Sequence, residues 1–278
     1  MNIWTNFGLV ENPYSTKPIT SDEIGEKLLV GRDGELKQLM MSLASLDTNP
    51  TLEGPNGVGK TSLVSVAAYK LKKSFVEGET NQAAIPLGEP FQLRLGEDVN
   101  AFRRKVFQRI ARAFIDNHDL LKARGLNVPD IAAVDGWLSS PVFRNYNGGA
   151  TIALVGGVTA GESTTVNSAA GFSEEGFITT VSKWLQECFP SSTAGFFIGV
   201  IDNLELLETS KEVRELLEEL RDEVIRIPGL RWVLCGALGV VRRAAYTPRL
   251  EGVLGAPIMV KPILDEHITP LITARLTA

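Results

Sequence analysis

Gly54-Pro55-Asn56-Gly57-Val58-Gly59-Lys60-Thr61 is the stretch whose reading decides the fold. It satisfies G-x-x-x-x-G-K-[ST] at every fixed position, and each fixed residue has a physical reason to be there. Glycines let the backbone turn tightly and aim consecutive N–H groups at phosphate oxygens, while the helix that follows points the positive end of its dipole at the same anion. In such a loop Lys60 reaches the β- and γ-phosphates of a nucleotide and Thr61 offers its hydroxyl oxygen to Mg²⁺. Gly54, Pro55, Asn56, Gly57, Val58, Gly59, Lys60, Thr61 and Ser62 together form the expected phosphate cradle.

The flanks suit that reading. Pro50-Thr51-Leu52-Glu53 is a short strand candidate before the loop, although Glu53 makes it less apolar than such a strand usually is. After the loop, Leu63, Val64, Ala67, Ala68 and Leu71 mark one face of a helix over 60–73. A phosphate cradle also needs a carboxylate on the metal side. Phe196-Phe197-Ile198-Gly199-Val200-Ile201 is an apolar run of the kind buried on both faces of a parallel sheet, and it ends in Asp202. By analogy with other P-loop enzymes, Asp202 holds Mg²⁺ through water. Many ATPases of this plan place Glu directly after that Asp; here the position is Asn203, and Glu205 and Glu208 are the nearest carboxylates. Two outcomes stay open: Glu205 serves as base or water-orienting group, or the site hydrolyses slowly, as a switch would.

The remaining pattern alternates strands and helices. Helices are expected over 34–46, 100–117, 210–226 and through Phe177 to Cys188 with Glu174 and Glu175 in the first turn, and strands over 85–95 (broken by Gly88 and Pro90), 230–234 and 258–260. This order argues for an α/β fold with a mostly parallel sheet covered on both sides. Residues 1–30, with Gly8, Pro13, Pro18 and Gly25, read as an extended arm or a set of turns. Residues 145–170, with β-branched residues on both sides of Gly156-Gly157, read as an inserted β-hairpin. The outer face of the 100–117 helix carries Arg103, Arg104, Lys105, Arg109 and Arg112, which is either a solvated face or a surface for phosphates or an acidic partner.

Composition narrows the class. With 28 Lys+Arg against 33 Asp+Glu the net charge is −5, so the surface as a whole is not built to coat DNA, although a local basic patch can still steer. Two cysteines, Cys188 and Cys235, and two histidines, His118 and His267, show no zinc-ligand spacing. Both cysteines lie in apolar runs and read as inert core thiols. No basic-then-apolar leader opens the chain and no apolar run approaches the roughly 20 residues that span a bilayer, so a soluble cytoplasmic protein is expected.

Several ordered blocks then resemble one superfamily. Phe7-Gly8-Leu9 and Asn12-Pro13-Tyr14 resemble the N-terminal arm of the origin-recognition-like initiator ATPases and their bacterial relatives, within the AAA+ and STAND P-loop ATPases. Val30-Gly31-Arg32-Asp33-Gly34-Glu35-Leu36 resembles the GR-x-x-EL segment of that group. Ile201-Asp202-Asn203-Leu204-Glu205 stands at the Walker B position, and Leu230-Arg231-Trp232-Val233-Leu234-Cys235-Gly236-Ala237 resembles the sensor-1 strand. The resemblance spans about 7–275. It implies a three-layer P-loop core in a single domain over 1–278, ATP and Mg²⁺ as cofactors, and Gly31 and Arg32 near the adenine. It also implies a homo-oligomer or effector protein as partner and nucleic acid as an open alternative; Arg242, Arg243 and Arg249 fall where the family often keeps an arginine finger, and read otherwise as solvated surface arginines. Val260-Lys261-Pro262-Ile263-Leu264 resembles the last core strand and its exit, and the helical lid of the family is expected to be absent. The implied activity is ATP hydrolysis that drives a switch or assembly step, in a DNA transaction or a bacterial defence system. The alternatives are a DNA-loading motor and a nucleotide-binding module without turnover.

Overall fold

The apolar runs at 196–201 and 230–234 lie side by side at the centre of a six-stranded sheet. The computed structural model describes residues 3–9, 12–45, 48–94, 96–131, 142–144, 150–152, 174–207 and 210–277. Its strands are β1 (Asn49–Glu53), β2 (Ala83–Pro86), β3 (Phe91–Gln92), β4 (Val142–Arg144), β5 (Ala150–Ile152), β6 (Gly195–Asp202), β7 (Leu230–Gly236) and β8 (Leu254–Met259). The helices are α1 (Glu23–Leu28), α2 (Asp33–Ser45), α3 (Lys60–Glu77), α4 (Val99–Asp116), α5 (His118–Ala123), α6 (Glu174–Cys188), α7 (Ser210–Leu220), α8 (Val240–Ala245) and α9 (Ile268–Thr277).

Strand order is β2-β6-β7-β1-β8, with β3 also on β6, and every pair in this sheet is parallel. A parallel sheet needs helices on both faces, and the side chains alternate accordingly. Phe197, Ile201, Leu230, Trp232 and Leu234 face one way, into the larger core with α4, α6, α7 and α8. Leu52, Phe196, Ile198, Val233, Cys235 and Ile258 face the other way, into the core with α2 and α3. This is the α/β, mostly parallel, helix-covered sheet that the alternating pattern implies. Among the described residues no helix is long and apolar enough to cross a membrane.

The expected strand over 85–95 is two strands. Pro86 is level with Ile198 and Phe91 with Ile201, so this edge carries two more residues than β6 across the break, which includes Gly88 at φ 89°. The helix over 210–226 is α7 followed by a π-helical turn, Arg221–Ile225, closed by the Arg226 N–H on the Arg221 carbonyl at 2.9 Å.

The segment over 1–30 holds a 3₁₀ turn, Ile3–Phe7, and α1, whose N-cap Asp22 accepts the Gly25 N–H at 2.7 Å. A six-residue helix is too short to show a periodicity. The chain also continues past the core exit into α9, which donates Arg275 Nη1 to the Pro13 and Ser15 carbonyls at 3.0 and 3.3 Å. The basic face of α4 is in large part spent on the protein itself. Arg103 lies 3.3 Å from Glu223 and 3.8 Å from Glu175, Lys105 pairs with Glu97 at 3.3 Å, and Arg109 donates to the Glu89 carbonyl at 2.6 Å while covering the Phe91 ring. Finally, β4 and β5 form a short antiparallel pair, Val142 level with Ile152. Apart from Ala150–Ile152, the hairpin expected over 145–170 about Gly156-Gly157 lies outside the described residues.

Candidate nucleotide-binding site

Register alone brings the site together. Leu234 of β7 is level with Thr51 of β1 and Ile201 of β6, so Leu52, Cys235 and Asp202 make the next row at the carboxyl edge of the sheet. That edge is where open α/β sheets bind ligands. The loop over 54–59 leaves β1 there, and α3 begins at Lys60. Gly57 and Gly59 hold φ of 75° and 97°, a backbone region that side chains avoid, which is why glycine is needed at both. The Leu63 N–H already bonds the Gly59 carbonyl at 2.9 Å, so the N–H groups of the helix's first turn are left for an anion.

Lys60 is buried, and its ammonium lies over the loop, donating to the Gly54 carbonyl at 3.0 Å and the Pro55 carbonyl at 3.2 Å. Asp202 is also buried. Its Oδ2 accepts the Thr61 hydroxyl in a short contact and its Oδ1 accepts the Asn203 N–H at 2.9 Å. Thr61 and Asp202 therefore present hard oxygen donors side by side, a set that fits Mg²⁺. Asn203 sits at φ 59°, where Asn is better tolerated than most side chains. Its left-handed backbone turns the chain out of β6 into the 3₁₀ turn Leu204–Leu206, and Glu205 on that turn accepts the Ala237 N–H at 3.1 Å. Cys235 lies among these groups. Burial pushes its thiol well above the usual range, the charges of Asp202 and Glu205 add to that, and Lys60 opposes it. Cys188, buried in the other core, is pushed up to about 12. Both are inert thiols at neutral pH.

Of the other expected contacts, Arg32 and Ser62 are engaged within the chain. Arg32, buried, donates to the Val58 carbonyl at 3.0 Å and pairs with Glu35 at 3.0 Å, so it supports the loop from behind, and Gly31 beside it packs against the His267 ring. The Ser62 hydroxyl accepts the Ile19 N–H at 3.1 Å, which ties the arm to the first turn of α3. Pro55, Asn56 and Gly57 form the exposed tip of the loop. Among the arginines after β7, Arg242 contacts Glu53 and Arg249 lies 3.9 Å from Glu218, while Arg243 is exposed on α8. The residues that sequence reasoning misses are Glu53 and Ala237. Only the charge at the end of a central strand signals the first, and nothing signals the second, because it acts through its backbone N–H.

A phosphate loop between strand and helix, a buried lysine above it and a Thr–Asp pair at the carboxyl edge of a parallel sheet define the P-loop nucleotide-binding class of fold. No model of a known protein family matches this chain, and no curated protein matches it. Among solved structures it is similar to the Orc1 protein of Aeropyrum pernix in complex with DNA, at TM-score 0.45 and 17% identity over 89% of this chain. It is also similar to a Walker-type ATPase of Pyrococcus abyssi, at TM-score 0.47 and 13% identity over 94% of this chain. The chain spans 49% of the first of those chains and 60% of the second.

Proposed function

We propose that this protein binds ATP with Mg²⁺ at the loop over 54–62 and hydrolyses it as a nucleotide-dependent switch or assembly factor. The carrying observation is the Thr61 hydroxyl on Asp202, 141 positions away, next to the Lys60 ammonium over the loop. Phosphates would be held by the loop and first-turn N–H groups and by Lys60, whose buried ammonium lies on the loop carbonyls. Thr61 and Asp202 would hold Mg²⁺, which when bound neutralises charge on the phosphate oxygens. Glu205, whose carboxylate accepts the Ala237 N–H, would orient the water. The initiator-like resemblance supports adenine as the base, a second copy or an effector protein as partner, and a cytoplasmic role in a DNA transaction or bacterial defence. Arg243, on the exposed face of α8, is the arginine to test as a group acting on a neighbouring subunit.

A non-hydrolysing module is the second reading, and Asn203 favours it, because the position after the metal-side Asp lacks an acid and has a left-handed backbone. The DNA-motor reading loses its main support, since several of the α4 cations are engaged within the chain.

Turnover measured across protein concentration separates the readings. Wild type is expected to hydrolyse ATP with a specific activity that rises with concentration, and Glu205→Gln to lower it by about 10²-fold. Absence of turnover at every concentration, with nucleotide still bound, selects the non-hydrolysing module; a rise in Asn203→Glu shows that position 203 faces the reacting phosphate.

A further inference from the structure

Glu53 is a buried charge that neither the phosphate cradle nor the Mg²⁺ ligands account for. It ends β1 with 1% exposure. It shares with Thr51 the sheet face opposite Leu52, which packs into the α2 and α3 core. A carboxylate in such surroundings persists only when it is hydrogen-bonded or paired. Its Oε1 accepts the backbone N–H of Arg242 at 2.6 Å, and its Oε2 lies 3.7 Å from the Arg242 Nε. Arg242 is the third residue of α8, whose N-cap Gly239 has no side chain to satisfy that end. Glu53 therefore caps α8 from another strand, with its negative charge at the positive end of the helix.

A run of contacts leads from that cap back to the site. The Val240 N–H donates to the Ala237 carbonyl at 3.1 Å, and the Ala237 N–H donates to the Glu205 carboxylate at 3.1 Å. Gly236, at the end of β7, is pressed between Val241 of α8 and Leu204: a Cβ there would come within 2.7 Å of the Val241 methyl and 3.4 Å of the Leu204 Cβ. The short turn between β7 and α8 is thus clamped between the helix that Glu53 caps and the 3₁₀ turn that carries Glu205.

We propose that Glu53 is a positioning residue for hydrolysis: it caps α8, the capped helix fixes the turn over 237–239, and the Ala237 amide of that turn fixes the Glu205 carboxylate. The proposal rests on the ATPase reading and deepens it. Glu53 touches no phosphate and acts only through Glu205.

The test pairs turnover with the Ala237 amide resonance in the ¹⁵N-labelled full chain. Glu53→Ala is expected to lower kcat by about tenfold or more while the Kd for ATP stays within about threefold. Glu53→Gln should recover part of the rate, because its amide oxygen still accepts the Arg242 N–H; a carboxylate acting directly on the reaction would show no such rescue. In a Glu205→Gln background the loss from Glu53→Ala should vanish, since the two residues then act as one unit. The Ala237 resonance should move in Glu53→Ala in the same direction as in Glu205→Gln. Rate losses that multiply in the double variant overturn the proposal. So does an unmoved Ala237 resonance in Glu53→Ala, or in Glu53→Leu, which also lacks the acceptor but fills the space and serves if Glu53→Ala does not fold. A wild type without turnover contradicts the ATPase reading by itself, and the Ala237 resonance then still decides whether Glu53 sets Glu205.

Discussion

Asp202→Asn is expected to lower ATP turnover by about 10²-fold or more, the scale on which charge at a phosphoryl-transfer site acts. The substitution keeps the size of a side chain that is 5% exposed, so the sheet should stay folded. What it removes is the negative charge beside the Thr61 hydroxyl and an acceptor able to serve both Thr61 and the Asn203 N–H. The loss should appear together with a rise in the Mg²⁺ concentration needed for half-maximal rate, because one of the two hard oxygen donors is weakened. A Mg²⁺ titration of initial rates measures both. An unchanged rate and an unchanged Mg²⁺ requirement would remove Asp202 from the metal side of the site.

Trp232→Ala carries the largest expected effect on stability, a loss of about 3–5 kcal/mol in unfolding free energy. Trp232 is fully buried in the centre of β7, and its ring meets Phe91 edge-on with centroids 5.5 Å apart. The indole N–H donates to the Val224 carbonyl at 3.0 Å, which closes the π-helical turn after α7 onto the sheet. On the neighbouring strand the ring lies over Gly199, where a Cβ would come within 2.6 Å of it. No other residue can take that place in β6, and no small residue at 232 can fill the space above Gly199. Denaturant unfolding followed by far-ultraviolet circular dichroism reads the loss. Trp232→Phe should cost less, yet it leaves the Val224 carbonyl without its donor, worth about 1–3 kcal/mol when buried.

The phosphate loop, β6 with its terminal Asp and the alternation of strands and helices were legible because each depends on local pattern. An eight-residue signature, a continuous apolar run and a 3.6-residue period survive without tertiary information. The break at Gly88 and Pro90 was legible for the same reason, and it became the shift between β2 and β3. Helix α8 was not, since Val240-Val241 reads as a continuation of the apolar stretch from Trp232; Gly236 and Gly239, the latter at φ 80°, end the strand and turn the chain into a helix. The α4 arginines were ambiguous for another reason: a cation's partner is set by which acids the fold brings near it, here Glu223 from the turn after α7 and Glu175 from α6. Glu53 looked like a flaw in a strand, and its purpose depends on Arg242, 189 positions away.

Within the site, residue types singled out Lys60, Thr61 and Asp202, and the fold brings Asp202 onto the Thr61 hydroxyl. Sequence could not show that Arg32 and the Ser62 hydroxyl are engaged with Val58 and Ile19 as supports for the loop and the arm. Nor could it show that Glu205 is held by a backbone amide on the neighbouring strand's turn. Those facts belong to tertiary geometry.

The central claim is that this chain binds Mg²⁺-ATP through the loop over 54–62, and isothermal titration of the purified protein with ATP and Mg²⁺ tests it most directly. The account predicts one site per chain with a Kd on the order of micromolar, weakened by about 10²-fold or more in Lys60→Ala, which removes the buried ammonium from the phosphates. Absence of binding to any nucleoside triphosphate, or equal binding by wild type and Lys60→Ala, would contradict it.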